Sequence, residues 1–126
     1  MVNIGIPYGK GFKNLSLSEN RVKGILTSRT KEYQTGKTQD EIVKHALENP
    51  IESPRLRDLV MGANRVLLIT SDHTRPVPSK ITLPIMLQEI RNANPKINIK
   101  IIVATGFHRA TTHEELVDKF GCEIVE

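Results

Sequence analysis

A single cysteine, no tryptophan and only 4% aromatic residues leave several chemistries without material. Cys122 alone forms neither an internal disulfide nor a Cys-x-x-Cys metal site, and a reducing, cytoplasmic setting is the expectation. With so few aromatics, a base-stacking platform for nucleic acid has little to build on. No apolar run is long enough to span a bilayer and no signal-peptide pattern opens the chain, so no membrane partner is expected. Charge of one sign is also missing from any one region, because 18 Lys and Arg residues are interleaved with 14 acids around a net charge of +4. That pattern argues against nucleic acid and suits a small anionic ligand.

What is present is the composition of one globular domain: 126 residues, 38% hydrophobic and 25% charged. Residues 1–26 read as a small β unit, since Val2, Ile4 and Ile6 alternate, residues 8–11 can turn, and Leu15 and Leu17 alternate again. Residues 21–26 are expected to add a third short strand. Residues 27–37 are nearly all polar and read as an exposed connection.

The remainder, residues 38–126, reads as an α/β unit. Thr38-Gln-Asp-Glu41 is a capping-box pattern, followed by Ile42, Val43, Ala46 and Leu47 at helical spacing until Asn49-Pro50. His45 on this helix reads as a partly exposed structural residue. Ser53-Pro54 predicts a second helix with Leu56, Leu59, Val60 and Ala63 inward. Pro84 predicts a short turn after Ser79 and a main helix beginning near Pro84 itself, with Leu83, Leu87 and Ile90 inward. Residues 97–104 read as a strand. Thr112-His-Glu-Glu115 is a second capping box, opening a helix that buries Leu116, Val117 and Phe120, and residues 122–126 look like the start of a further strand.

The stretch 66–76 organises the rest. Five apolar or β-branched residues, 66–70, predict a strand buried on both faces, and then Ser71, Asp72, His73, Thr74 and Arg75 follow before Pro76 stops regular pairing. Polar groups gathered at the carboxyl end of a buried strand are where an α/β sheet places its ligand. The plainer reading is a strand-to-helix loop in which Asp72 caps a backbone N–H and Arg75 pairs with it.

A second polar loop, residues 105–109, follows the strand at 97–104. The order strand, loop, helix, strand, loop, helix makes the two strands parallel, so both loops leave the same sheet edge. Arg75 offers a planar fork for a carboxylate or phosphate. Ser71, Thr74 and Thr105 add hydroxyls, and Gly106 permits close backbone approach. His108 brings an imidazole, whose ordinary pKa of about 6.5 suits proton exchange near neutrality. Its plainer reading is a loop residue hydrogen-bonded to a carboxylate.

Ser71-Asp-His-Thr-Arg-Pro-Val-Pro-Ser79, the helix end Arg91-Asn-Ala-Asn-Pro95 and Ala104-Thr-Gly-Phe-His-Arg-Ala-Thr-Thr-His-Glu-Glu115 together resemble the amino-terminal domain of the nickel-dependent lactate racemase family, most strongly over residues 65–121. The resemblance implies a Rossmann-like α/β fold with a mostly parallel sheet, and a longer, two-domain isomerase that inverts a small 2-hydroxy acid. It further implies a nickel pincer nucleotide, a pyridinium bisthiocarboxylate mononucleotide carrying Ni, bound mainly by an absent carboxyl-terminal domain. Matched onto this chain, His108 is one of two acid/base histidines and Arg75 holds the substrate carboxylate. Asp72, His73, Thr74 and Arg75 line the cofactor. The family's second catalytic histidine, its cofactor-tethering lysine and its nickel-binding histidine fall beyond Glu126, so no metal ligand is expected here and the isolated chain is expected to be inactive. The competing reading is a stand-alone phosphate- or carboxylate-binding module, and a family member with a different substrate is a third.

Overall fold

Alternating apolar residues and a Gly9-Lys10 turn close the first β unit. In the computed structural model, which describes residues 1–126, β1 (Val2–Tyr8) pairs antiparallel with β2 (Gly11–Leu17), Val2 opposite Leu17 and Tyr8 opposite Gly11. Gly9 takes φ +58°, a left-handed value that glycine adopts without a Cβ penalty. The expected third strand over 21–26 does not form. A 3-10 turn at Glu19–Arg21 follows β2, and Ile25 and Leu26 stay exposed, because no partner edge or apolar surface meets this short segment around Gly24. The chain divides into two compact units, Met1–Thr35 and Gly36–Glu126.

The second unit begins with α1 (Gln39–Glu48), whose capping box is complete: the Glu41 N–H donates to Thr38 Oγ1 at 3.3 Å and the Thr38 N–H to Glu41 Oε2 at 2.7 Å. The next helix, α2 (Leu56–Val60), starts later than Ser53-Pro54 suggests. Arg55 is its N-cap without a side-chain bond, Ser53 Oγ donates to the Pro54 carbonyl, and Leu59 is exposed while Val60 is buried. A helix this short buries only a narrow stripe.

Strands β3 (Arg65–Ser71) and β4 (Asn98–Ala104) pair in parallel, with Arg65 opposite Asn98 and Ser71 opposite Ala104. Between them runs α3 (Ser79–Ala93). This helix is continuous through Pro84, against the expected break. Its first turn closes early, the Ile81 and Thr82 N–H groups both donating to the Pro78 carbonyl at 3.0 and 3.1 Å, and Ser79 and Leu83 are buried ahead of the proline as Ile90 is behind it. Burial on both sides offsets the one backbone bond that Pro84 forfeits.

Val60, Ile90 and Ile97 form the buried core, with Leu56, Ala63, Val66, Leu68, Ala93 and Ile99 packed against it. The Asn94 amide donates to the Val60 and Ala63 carbonyls at 2.9 and 2.8 Å, tying the end of α3 to α2, and Arg91 donates to the Ile97 carbonyl at 2.5 Å. Only one sheet face is covered. Val66 and Leu68 turn to the helices, while Leu67, Ile69 and Ile102 are 49, 72 and 50% exposed, so the expected burial of β3 on both faces is corrected.

Helix α4 (His113–Phe120) opens with the second capping box and ends at Gly121, where φ is +90°. Residues 122–125 form a short helix, α5 (Cys122–Val125), and not a strand. With no edge to pair against, this backbone satisfies itself locally, the Ile124 and Glu126 N–H groups reaching the Gly121 and Cys122 carbonyls. No helix is long and apolar enough to cross a membrane.

Candidate functional site

Parallel pairing of β3 with β4 sets the two polar loops side by side, and their side chains meet. Asp72 is 2% exposed, directly after β3. Its Oδ2 lies 2.5 Å from His108 Nδ1, and its Oδ1 accepts from the Thr74 hydroxyl at 2.7 Å and the Thr74 N–H at 3.1 Å. Thr74 Oγ1 is also 3.4 Å from His108 Nδ1. The Thr74 hydroxyl first, then the His108 ring and the Thr74 N–H, hold the Asp72 carboxyl far below the usual carboxylate range, against burial that acts the other way. An ionised Asp72 accepts only, so the Nδ1 of His108 carries the proton in this contact and Nε2 is the ring's free nitrogen. The His108 side chain is 45% exposed, open to a reactant.

Local backbone explains the placement. His108 N–H bonds the Thr105 carbonyl at 3.0 Å, and Gly106 takes φ +58° within this turn with nothing in reach of a Cβ. On the other loop, the Arg75 N–H bonds the Asp72 carbonyl at 3.3 Å. The plainer reading of that loop holds in its first half, since Asp72 does take a backbone N–H, but Arg75 does not pair with Asp72. Its guanidinium is exposed and unpaired. An open cavity of about 620 Å³ is lined by Ser71, Asp72, Arg75, Thr105, Gly106 and His108, among others. Ser71 Oγ is buried there without a hydrogen-bond partner.

His73 leaves this group. Its Nε2 lies 3.4 Å from Glu115 Oε1, and its Nδ1 is buried without a partner. It lines a neighbouring cavity of about 410 Å³ with Arg75, Lys80, Glu115 and Lys119. Glu115 also takes both arms of Arg109, at 2.8 and 2.6 Å, and these guanidinium bonds, with the Thr112 N–H, lower its carboxyl to about 2. The same contact raises the Arg109 guanidinium above its ordinary value. The sequence marks Glu115 as a capping residue and carries no local sign of a task for Arg109 or Lys119. A carboxylate at the third position of a capping box beside a loop arginine was the one signal that could have flagged the pair. His45 and His113 are exposed and line neither cavity, and nowhere do three or more His, Cys, Asp or Glu side chains converge as a metal set would.

A parallel strand pair whose carboxyl-end loops bring a carboxylate-held imidazole and an unpaired guanidinium to one rim defines an α/β domain with a polar cleft on its sheet edge. Comparison with known proteins narrows the class: the model of the lactate racemase N-terminal domain matches residues 8–126, and the chain belongs to that family. It is 52% identical over 126 residues to a lactate racemase of Thermoanaerobacterium thermosaccharolyticum, and 44% identical over 125 residues to that of Lactiplantibacillus plantarum. These alignments cover 100% and 99% of this chain, which spans about 30% of the length of each relative. The solved lactate racemase apoprotein from the first organism superposes with a TM-score of 0.84 at 51% identity, covering 99% of this chain and 28% of that one.

Proposed function

We propose that this chain is the amino-terminal part of an enzyme that interconverts the enantiomers of lactate or a closely similar 2-hydroxy acid, with Arg75 and His108 acting on the substrate. The observation that carries the reading is the Asp72–His108 contact of 2.5 Å beside the unpaired Arg75. Arg75 takes the substrate carboxylate on its planar fork, which fixes the carbon bearing the hydroxyl relative to the rim. Nε2 of His108 removes the hydroxyl proton and returns it. Asp72 stabilises the imidazolium formed between those events and keeps the ring in the Nδ1–H tautomer, while Thr74 holds Asp72. Half exposure of His108 matches a group that must meet a substrate and release it.

The family resemblance adds a nickel pincer nucleotide, and the chain's residues suit its anionic portion in part. Arg75 is unpaired over an open cavity, and the buried Ser71 hydroxyl there lacks a partner. Asp72 and Thr74 commit their side-chain atoms to each other and to His108, so in this reading they support the site. His73, turned to Glu115, would contribute from the neighbouring cavity. The chemistry the group supplies when bound is reversible hydride acceptance. In this reading no residue of this chain is assigned to the nickel itself. A cytoplasmic setting is part of the same reading and rests on the lone, exposed Cys122.

The test uses the full-length enzyme. His108→Ala should lower kcat by about 100-fold or more while the nickel content is kept, since general acid–base groups contribute on that order. Arg75→Lys should raise KM for lactate roughly tenfold or more, because it keeps the charge and loses the fork. Loss of nickel in the histidine variant, or an unchanged KM in the arginine variant, sinks the assignment.

A further inference from the structure

Two capping boxes in the same chain give an internal comparison. In α1, Glu41 closes the box on Thr38, its helix's own N-cap. In α4, Glu115 makes the equivalent contacts, its N–H donating to Thr112 Oγ1 at 3.3 Å and its Oε2 accepting the Thr112 N–H at 2.9 Å. Capping is complete with those two bonds. Glu115 nevertheless also grips both arms of Arg109, the residue after His108, and approaches His73 Nε2 in the other loop. One helical turn further, Lys119 Nζ donates to the Arg75 carbonyl at 3.0 Å. Residues four apart share a helix face, so a single face of α4 reaches both loops of the rim.

We infer that Glu115 and Lys119 are positioning residues for the two groups that handle the substrate: Glu115, through Arg109, sets the loop bearing His108, and Lys119, through the Arg75 carbonyl, sets the loop bearing the carboxylate fork. Beyond the Asp72 contacts with Thr74 and His108 and the bonds within residues 72–79, the loops are lightly held. The loop at 105–111 has one internal backbone bond, from His108 to Thr105, and the Arg75 carbonyl is otherwise bonded only by the Val77 N–H at 2.8 Å. A bidentate guanidinium–carboxylate pair fixes orientation as well as distance. Small errors in the placement of a reacting group are costly to rate, so a helix held by its own capping box is a suitable fixed support. His73, on the loop that bears Arg75, makes Glu115 a second point, besides the Asp72–His108 contact, at which the loops are joined.

The inference rests on the proposed roles of Arg75 and His108, and two readouts in the full-length enzyme separate its failure from theirs. Glu115→Gln retains a residue able to close the capping box but loses the charged fork. It should lower kcat roughly tenfold with KM within about twofold. Lys119→Met keeps length and loses the donor, and should raise KM roughly tenfold with kcat within about twofold. Hydrogen exchange followed by mass spectrometry should quicken in peptides over 105–112 for the first variant and over 72–78 for the second, with exchange in the β3 and β4 peptides unchanged. Unchanged exchange in those peptides overturns the inference whatever the kinetics. So does a parallel fall of kcat and kcat/KM in both variants that tracks lost thermal stability. If His108→Ala and Arg75→Lys leave turnover intact, the functional reading fails, while the exchange data still decide whether α4 holds the loops.

Discussion

Asp72 carries its charge almost wholly out of contact with bulk solvent, and it does so because three hydrogen-bond donors surround it. Its carboxyl is held well below the ordinary range, and that of Glu115 falls to about 2. Unfolded, the two groups revert to about 3.9 and 4.3. A depressed carboxylate stabilises the fold fully above its unfolded value, and that contribution is lost as pH falls towards the folded value. The urea midpoint should therefore drop between about pH 4.5 and pH 2, with a shallower fall in Asp72→Asn and in Glu115→Gln than in the parent chain. Equal slopes in all three proteins would contradict this. At this scale the sequence named the residues and left their partners unread. Asp72, His108 and Arg75 stood out by type and by their place after a strand. That Asp72 would choose His108 over the nearby Arg75 depends on the strand register, which sets Ser71 beside Ala104 and is invisible in a single chain of letters. Glu115 was read as a local cap because its second partner, Arg109, lies in a loop whose path no periodicity specifies.

Helices and strands with strong local signals were legible, and those needing a neighbour were not. Both capping boxes form at Thr38 and Thr112, since the motif satisfies itself within four residues. Residues 21–26 and 122–126 have strand-like composition without an edge to pair with, so one remains irregular and the other coils into α5. Pro84 is the instructive element-level case. Its rule is sound, yet α3 continues because Leu83 and Ile90 bury against the core on either side. Pro84→Ala should restore a donor to the Lys80 carbonyl and raise stability by about 1–3 kcal/mol, read as an increased urea midpoint with unchanged m-value. Destabilisation would mean that the ring packs in a way its exposed position does not suggest.

For the molecule as a whole, coverage is the deciding quantity. The sheet has two parallel strands and helices on one face, and Leu67, Ile69 and Ile102 look outward on the other. Strings of apolar residues in a strand predict double burial, and the chain supplies only one cover, which is why that expectation failed here. The 126-residue chain should fold, because Val60, Ile90 and Ile97 close a core with capped helices around it. It should bind carboxylates weakly at Arg75, hold no stoichiometric nickel and turn over neither lactate enantiomer, since the proposed role of His108 supplies one base and no metal set converges. Metal analysis after dialysis and a chiral lactate assay on the purified chain check this. Tight nickel retention or measurable turnover would show a more complete site.

The contact between Asp72 and His108 spans 36 residues of chain. A polypeptide emerging from the ribosome at about 5–20 residues per second must wait seconds between making one partner and making the other. During that interval the Asp72 carboxylate has only Thr74 to answer it, and β3 has no β4 to lie against. The imidazole and its acceptor are brought together by the parallel ladder that runs from Arg65 and Asn98 to Ser71 and Ala104, a long closure of the kind that slows folding. The rim that joins Asp72 to His108 is thus a late product of the chain's own history. Helix α4, whose Glu115 grips Arg109, is made later still.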